Sequence, residues 1–205
     1  MAVQADEVER LFRQSGAYRF ARWGRPIVPV VFGVDDASLA FVKGAIEAVV
    51  QLAGHKMAET DPELGANLLL FFLRDWDELT EVPGLCDMLG DVPKLVDRLH
   101  ARRANQYRTF RFDEGGAIKA CFAFVRLDAA LADLPAETVA LGQAVQAILA
   151  WGEDAFAERP ALVDAQSGAM LHPEVAALIR AAYDPLLPLA ASDASHALRL
   201  AARVV

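Results

Sequence analysis

The residues able to do chemistry are few and scattered. Four histidines occur, His55, His100, His172 and His196. No two of them stand at i, i+3 or i+4, the spacing at which side chains on one helix face share a metal ion. The stretch AGHKMAETDPELG places His55 four residues before Glu59 and six before Asp61. On a helix, His55 and Glu59 would lie one turn apart, suited to metal binding or acid/base work. Gly54 before them and Pro62 after them favour a solvated loop instead. In RDWDELTE, Asp75, Asp77 and Glu78 cluster directly after an apolar run. The end of a buried strand is where ligand sites often sit, so Asp75 and Asp77 with Arg74 could hold a cation or a polar ligand. The alternative is a charged loop capping the strand. His172, before Pro173, reads as an exposed or capping residue, and His100 and His196 as surface residues. Cys86 and Cys121 read as reduced; Cys121, inside AIKACFAFVRL, acts as a small buried hydrophobe. SGAM, Ser167 to Met170, reads as a loop. There is no G-x-S-x-G elbow, Walker loop, G-x-G-x-x-G or C-x-x-C. No catalytic residue, no metal-ligand set and no cofactor is expected.

The totals narrow the class. The chain has 205 residues, 55% hydrophobic and 23% charged, enough to bury a substantial core. A formal net charge of −8 argues against a nucleic-acid partner, which calls for a basic face. The one basic cluster, RLHARRANQYRTFR, reads as a helix end and an edge strand whose charges keep it soluble and block strand pairing; an anionic partner is the other reading. No signal peptide opens the chain, and no apolar run approaches the ~20 residues of a membrane span. As written the chain is expected in the cytoplasm; removal of a leader would make it an exported protein.

The elements that must position these residues follow from periodicity. Asp6 to Gln14 reads as a short helix ended by Gly16. RPIVPVVFG is a β-rich run whose prolines suit a sheet edge or an irregular start. DDASLAFVKGAIEAVVQLAG is an amphipathic helix capped by Asp36 or Ser38. Leu68 to Leu73 is a central strand. Trp76 to Pro93 is loop with one or two helical turns, and VPKLVDRLHARRA is a helix with Leu95, Val96 and Leu99 inward. QYRTFRF alternates, Tyr107, Thr109 and Arg111 on one side and Phe110 and Phe112 on the other. DEGG turns the chain into a return strand, Ile118 to Leu127. Three helices close the chain: LPAETVALGQAVQAILAWGED, HPEVAALIRAAYD and SDASHALRLAARVV. The expected fold is α+β: one domain over 1–205, with an N-terminal helical extension at 1–22 and a helical C-terminal subregion at 158–205.

Strand, helix, strand, hairpin, then a long helix is the order of the zincins. RPIVPVVFG, GANLLLFFL and GGAIKACFAFVRLD sit where the successive strands would be. The run Ala182-Tyr183-Asp184-Pro185, followed by a further helix, resembles the tail of a bacterial zincin-like family of unknown function. The resemblance spans roughly Trp23 to the C-terminus. It implies a small mixed sheet of about four strands with a long helix behind it. A zincin helix carries His-Glu-x-x-His, two imidazoles for Zn²⁺ and a carboxylate for its water. In the best register Gly142, Gln143 and Gln146 take those places. Glycine has no side chain, and a neutral amide is a poor zinc ligand that cannot accept a proton as a carboxylate does. The resemblance therefore implies vestigial site positions and a lost metal motif.

Three functions remain open. The first is a non-catalytic module binding a peptide or protein in a cleft, with Trp76, Trp151, Glu153 and Asp154 as its lining. The second is a hydrolase with an atypical site drawn from His55, Glu59, Asp61, Asp75 or Glu153. The third is a structural, self-associating protein, suggested by the mean hydropathy of +0.24 and the apolar last helix.

Overall fold

A computed structural model describes residues 3–165 and 168–204. The chain opens with helix α1 (Ala5–Leu11) and three short strands, β1 (Arg13–Gln14), β2 (Ala17–Tyr18) and β3 (Phe20–Ala21). Then come β4 (Pro29–Phe32), α2 (Asp36–Leu52) and β5 (Leu68–Leu73). A 3₁₀ helix (Trp76–Glu81), α3 (Leu85–Leu89) and α4 (Val92–Ala101) lead to the hairpin β6 (Gln106–Phe112) and β7 (Ile118–Arg126). After α5 (Ala129–Ala132) and α6 (Ala136–Ile148), a hairpin of β8 (Leu162–Ala165) and β9 (Gly168–Leu171) precedes α7 (Pro173–Ala182), β10 (Ala190–Ala191) and α8 (Ser195–Ala201).

The main sheet has the order β4-β5-β7-β6, with β4, β5 and β7 parallel and β6 antiparallel at the edge. Both faces are covered, which is why β5 and β7 are apolar at nearly every position. Leu68, Leu70, Phe72, Cys121, Ala123 and Val125 face the larger core under α2, α6, α7 and α8. Phe71, Leu73, Phe122 and Phe124 face a second core made by the 3₁₀ helix and α4. The α4 helix turns Leu95, Val96 and Leu99 inward as its spacing predicts.

Several boundaries differ from those that periodicity predicts. The first helix stops at Leu11, because Ser15 and Gly16, both at positive φ, fold residues 13–18 into a tight hairpin. The N-terminal segment is no helical extension: Val8, Phe12, Tyr18 and Phe20 are part of the main core. Asp35, not Asp36 or Ser38, caps α2, accepting from the Ser38 amide at 2.7 Å. Residues 158–205 are not wholly helical, since β8, β9 and β10 lie among them. In SGAM, Gly168–Leu171 is a strand paired with β8, and Ser167 lies outside the described residues.

The α6 helix ends at Ile148, six residues before Asp154. Leu149 is extended and bridges Arg22, and the Ala150 amide donates to the Ala21 carbonyl. The carbonyls left at the helix end are taken by side chains. Trp23 Nε1 donates to Ala147 O, the Tyr183 hydroxyl to Ile148 O and Trp151 Nε1 to Val145 O, each at 2.8 Å. Helix ends need such partners; here distant residues supply them and helical propensity is overruled. The Tyr183-Asp184 run thus has a clear role. Arg22 donates to the carbonyls of Tyr183, Asp184 and Leu187, and Arg203 pairs with Asp184 at 2.7 Å.

His196, expected at the surface, is only 2% exposed. Its Nδ1 lies 2.7 Å from the Tyr18 hydroxyl. Burial pushes the Tyr18 pKa up, so the hydroxyl keeps its proton and donates it. Nε2 is buried and, among the described residues, without a partner. Burial first, then Arg199, Arg203 and Arg22, lower the imidazole pKa from 6.5 to about 4. The folded protein therefore holds His196 neutral, while the unfolded chain takes up the proton near pH 6.5. Its stability contribution is complete above pH 6.5 and is lost as pH falls toward 4, roughly 2 kcal/mol by pH 4.5. Urea midpoints at pH 7, 5.5 and 4.5 should show this loss in the wild type and a flatter profile in His196→Gln; equal slopes would refute it.

Candidate functional site

A cleft of about 570 Å³ lies between β6 and the loop after α6. One wall is Thr109, Phe110 and Phe112 of β6. The opposite wall is Trp151, Glu153 and Phe156, with Gln14 from the N-terminal hairpin. Trp151 is held rigidly, stacked on Phe12 at 5.2 Å between ring centres, with its indole N–H bound at the end of α6. At the floor are Arg108 and Gln146.

The floor answers what Gln143 and Gln146 do. Arg108 Nη2 donates to Gln143 Oε1 at 2.6 Å, and Nη1 donates to Gln146 Oε1 at 2.5 Å. Gln143 Nε2 in turn donates to Gln106 Oε1 at 2.9 Å. Residues three apart on a helix share a face, so both amides present their oxygens to one guanidinium. Gln143 is 2% exposed, sealed beneath Arg108, whereas Gln146 is half-buried and lines the cleft. Gly142 does not join them: a methyl added there would meet only Leu162 Cδ1 of β8, at 3.9 Å.

A zinc ion does not fit this place. The donors are two neutral amide oxygens, and the volume between them is filled by a guanidinium, itself a cation. This helix face holds a positive charge, but it belongs to the chain. Burial lowers the Arg108 pKa, opposed only by the buried Cys121 thiol, whose own pKa burial pushes up to about 12. A guanidinium stays protonated even so.

The other site candidates are not brought together. Trp76 is fully buried in the second core and donates to the Ala104 carbonyl, on the opposite sheet face from Trp151. Asp154 is exposed and lines a separate hollow of about 720 Å³ between α1 and α7. Glu153 borders both hollows. His55 is not a solvated-loop residue. It is half-buried, donates from Nε2 to the Arg25 carbonyl at 2.8 Å and lies against the Tyr183 ring. Burial lowers its pKa. Glu59 is exposed. Asp61 is buried, which alone would raise its pKa; the amides of Leu64 and Glu63, the Asn67 side chain and Arg25 overrule this and hold it at about 2. It serves as a structural anchor for the loop before β5. Asp75 caps the 3₁₀ helix, accepting from the Asp77 amide at 3.0 Å. Among the described residues no hydrogen bond or ion pair joins any two of His55, Glu59, Asp61, Asp75 and Glu153.

Asp75, Asp77 and His100 form, among the described residues, the one trio with metal-ligand spacing, their ligand atoms within 4.8 Å. All three are exposed, and one Asp75 oxygen already serves the helix cap. His172 caps α7 through Nδ1, which accepts from the Glu174 amide at 3.2 Å. Cys86 is exposed and Cys121 buried, both unpaired.

Arg108 is the cleft residue that the sequence patterns do not single out, since it lies within the basic cluster that reads as solubilising. A signal exists all the same. In QYRTFRF the alternation that puts Phe110 and Phe112 on one side puts Arg108 there too. A lone arginine on the apolar side of an edge strand needs acceptors from whatever covers that side.

No helix among the described residues is long and apolar enough to cross a membrane. Comparison with known proteins finds no family model, no curated protein and no solved structure that matches this chain.

Proposed function

We propose that this protein is a non-catalytic, zincin-like binding module that holds an extended peptide along β6. The zincin-like reading is supported by the order of parallel β4, α2 and β5, the hairpin that leaves β6 antiparallel at the edge, and α6 behind it. The observation that carries the binding reading is the cleft itself. It runs beside a seven-residue edge strand that contains no proline, whereas the opposite edge, β4, is four residues long and begins with Pro29. Proline and shortness are devices that blunt an edge against pairing; β6 has neither, and its protection is confined to the exposed Arg111 and a register shift between Arg111 and Phe112 at its far end.

An extended segment laid against β6 would gain main-chain hydrogen bonds from the strand, with alternate side chains entering the cleft. Phe110, Phe112, Trp151 and Phe156 offer apolar walls. The described lining of the cleft holds a single carboxylate, Glu153, one hydroxyl, Thr109, and no histidine, cysteine or serine, so it offers neither a histidine-activated nucleophile nor a pair of carboxylates. The apolar last helix gives self-association little support: Ala197 and Leu200 point inward and Leu198 alone is largely exposed.

Amide hydrogen exchange tests the reading. A peptide selected from a random heptapeptide library should, at saturation, slow exchange of residues 106–112 at least tenfold. Slowing confined to another surface, or a library that enriches nothing, would overturn it.

A further inference from the structure

The cleft beside β6 holds a positive charge that, among the described residues, no carboxylate pairs with. Among the described residues Arg108 is the only lysine or arginine lining it. Among the described residues no carboxylate lies within 4.0 Å of its guanidinium, although Glu153 borders the same cleft. Its two side-chain acceptors, Gln143 and Gln146, are neutral. A guanidinium has five N–H donors, so three remain without an acceptor among the described residues; Nε is buried and unpartnered. An uncompensated half-buried cation is costly, and a single Gln-to-Glu change would supply a partner from within the chain. Neutral amides orient the fork and leave its charge unspent, the arrangement expected where a ligand brings the anion.

Position decides the kind of anion. On the strand the cleft begins at Arg108 and runs through Thr109 and Phe110 to Phe112; Gln106 is engaged by Gln143 and does not line it. A segment paired with residues 108–112 would be roughly 16 Å long, about five residues. Its Arg108 end must carry negative charge and the rest apolar side chains. We propose that the cleft takes the C-terminal carboxylate of an extended peptide, with Arg108 as its charge partner and Phe110, Phe112 and Trp151 receiving apolar side chains upstream. This rests on the peptide-binding reading above and names the peptide's end. The fork geometry of a guanidinium matches a carboxylate with two parallel N–H···O bonds.

The test uses two random heptapeptide libraries, one displayed with free C-termini and one with the C-termini fused. Enriched peptides are synthesised as free acid and as amide, and binding is measured by fluorescence polarisation. Enrichment from the free-C-terminus library, with the acid binding at least tenfold more tightly than the amide, is expected. Arg108→Met should erase that difference. Gln146→Glu, which gives Arg108 an internal partner, should weaken the acid at least tenfold while thermal unfolding stays at or above the wild-type temperature. That second variant keeps the test decisive if Arg108→Met does not fold. Acid and amide binding equally, or enrichment only from the fused library, would overturn the carboxylate proposal and leave peptide binding standing. Enrichment from neither library would overturn both.

Discussion

Gln143→Leu is expected to destabilise the protein by ~3 kcal/mol, because it strips a half-buried cation of one of two acceptors, the one that is itself buried. Arg108 would keep only Gln146, and Gln106 would lose its donor. Leucine fills nearly the same volume, so the cost is electrostatic and not a cavity. The double variant Arg108→Met/Gln143→Leu removes the charge with the acceptor, and replacing both partners by apolar groups is far less costly than removing one. Urea unfolding of the wild type, both single variants and the double variant should give a coupling of at least ~1.5 kcal/mol, within the range for residues in one network. A Gln143→Leu cost below ~1 kcal/mol, or strict additivity, would show that the guanidinium is solvated and does not depend on the helix.

Gly152→Ala should cost a similar ~3 kcal/mol by a different route. A methyl at Gly152 would sit 2.4 Å from the Arg13 carbonyl oxygen and 3.0 Å from the Arg13 nitrogen. Both are backbone atoms, so no side chain can swing aside. The Gly152 amide donates to the Leu11 carbonyl at 2.8 Å, and that bond must break as the loop is pushed out. Overpacking of this kind costs ~1–3 kcal/mol, and the lost hydrogen bond adds ~1. The melting temperature should fall by ~6–12 °C for a chain of this size. Trp151 adjoins the displaced residue and stacks on Phe12, so its fluorescence should shift with the loop and the cleft should lose its apolar wall. A melting temperature within 2 °C of the wild type would mean that the loop has slack the contact distances deny.

The two variants mark the division between local and distant information. Local patterns were legible in the chain. Six apolar residues from Leu68 to Leu73 are a central strand, and that strand is buried on both faces. The spacing of Val42, Ile46, Val49 and Val50 is the buried stripe of α2. The DEGG turn joins β6 to β7, with Gly116 at positive φ. Each depends on neighbours within a few residues, where propensity and periodicity act.

What failed depends on residues far apart. The α6 helix stops at Ile148 although its sequence continues in helical style, because Arg22, Ala21 and Leu11 bind residues 149–152 just beyond it. His196 looks like a surface histidine until Tyr18, 178 positions away, is folded against it. Gln143 and Gln146 could be read as positions that had lost a metal, but not as the seat of another cation. By itself the sequence determined an α+β chain and an α6 without zinc ligands, since residue type and local spacing suffice for both. Only the tertiary structure decided that this helix face holds Arg108, which stands 35 positions from Gln143 and 38 from Gln146. A charge–amide contact between a strand and a later helix leaves no periodic trace in the chain; it arises when sheet packing brings the edge strand over the helix and both sides must satisfy their polar groups away from water.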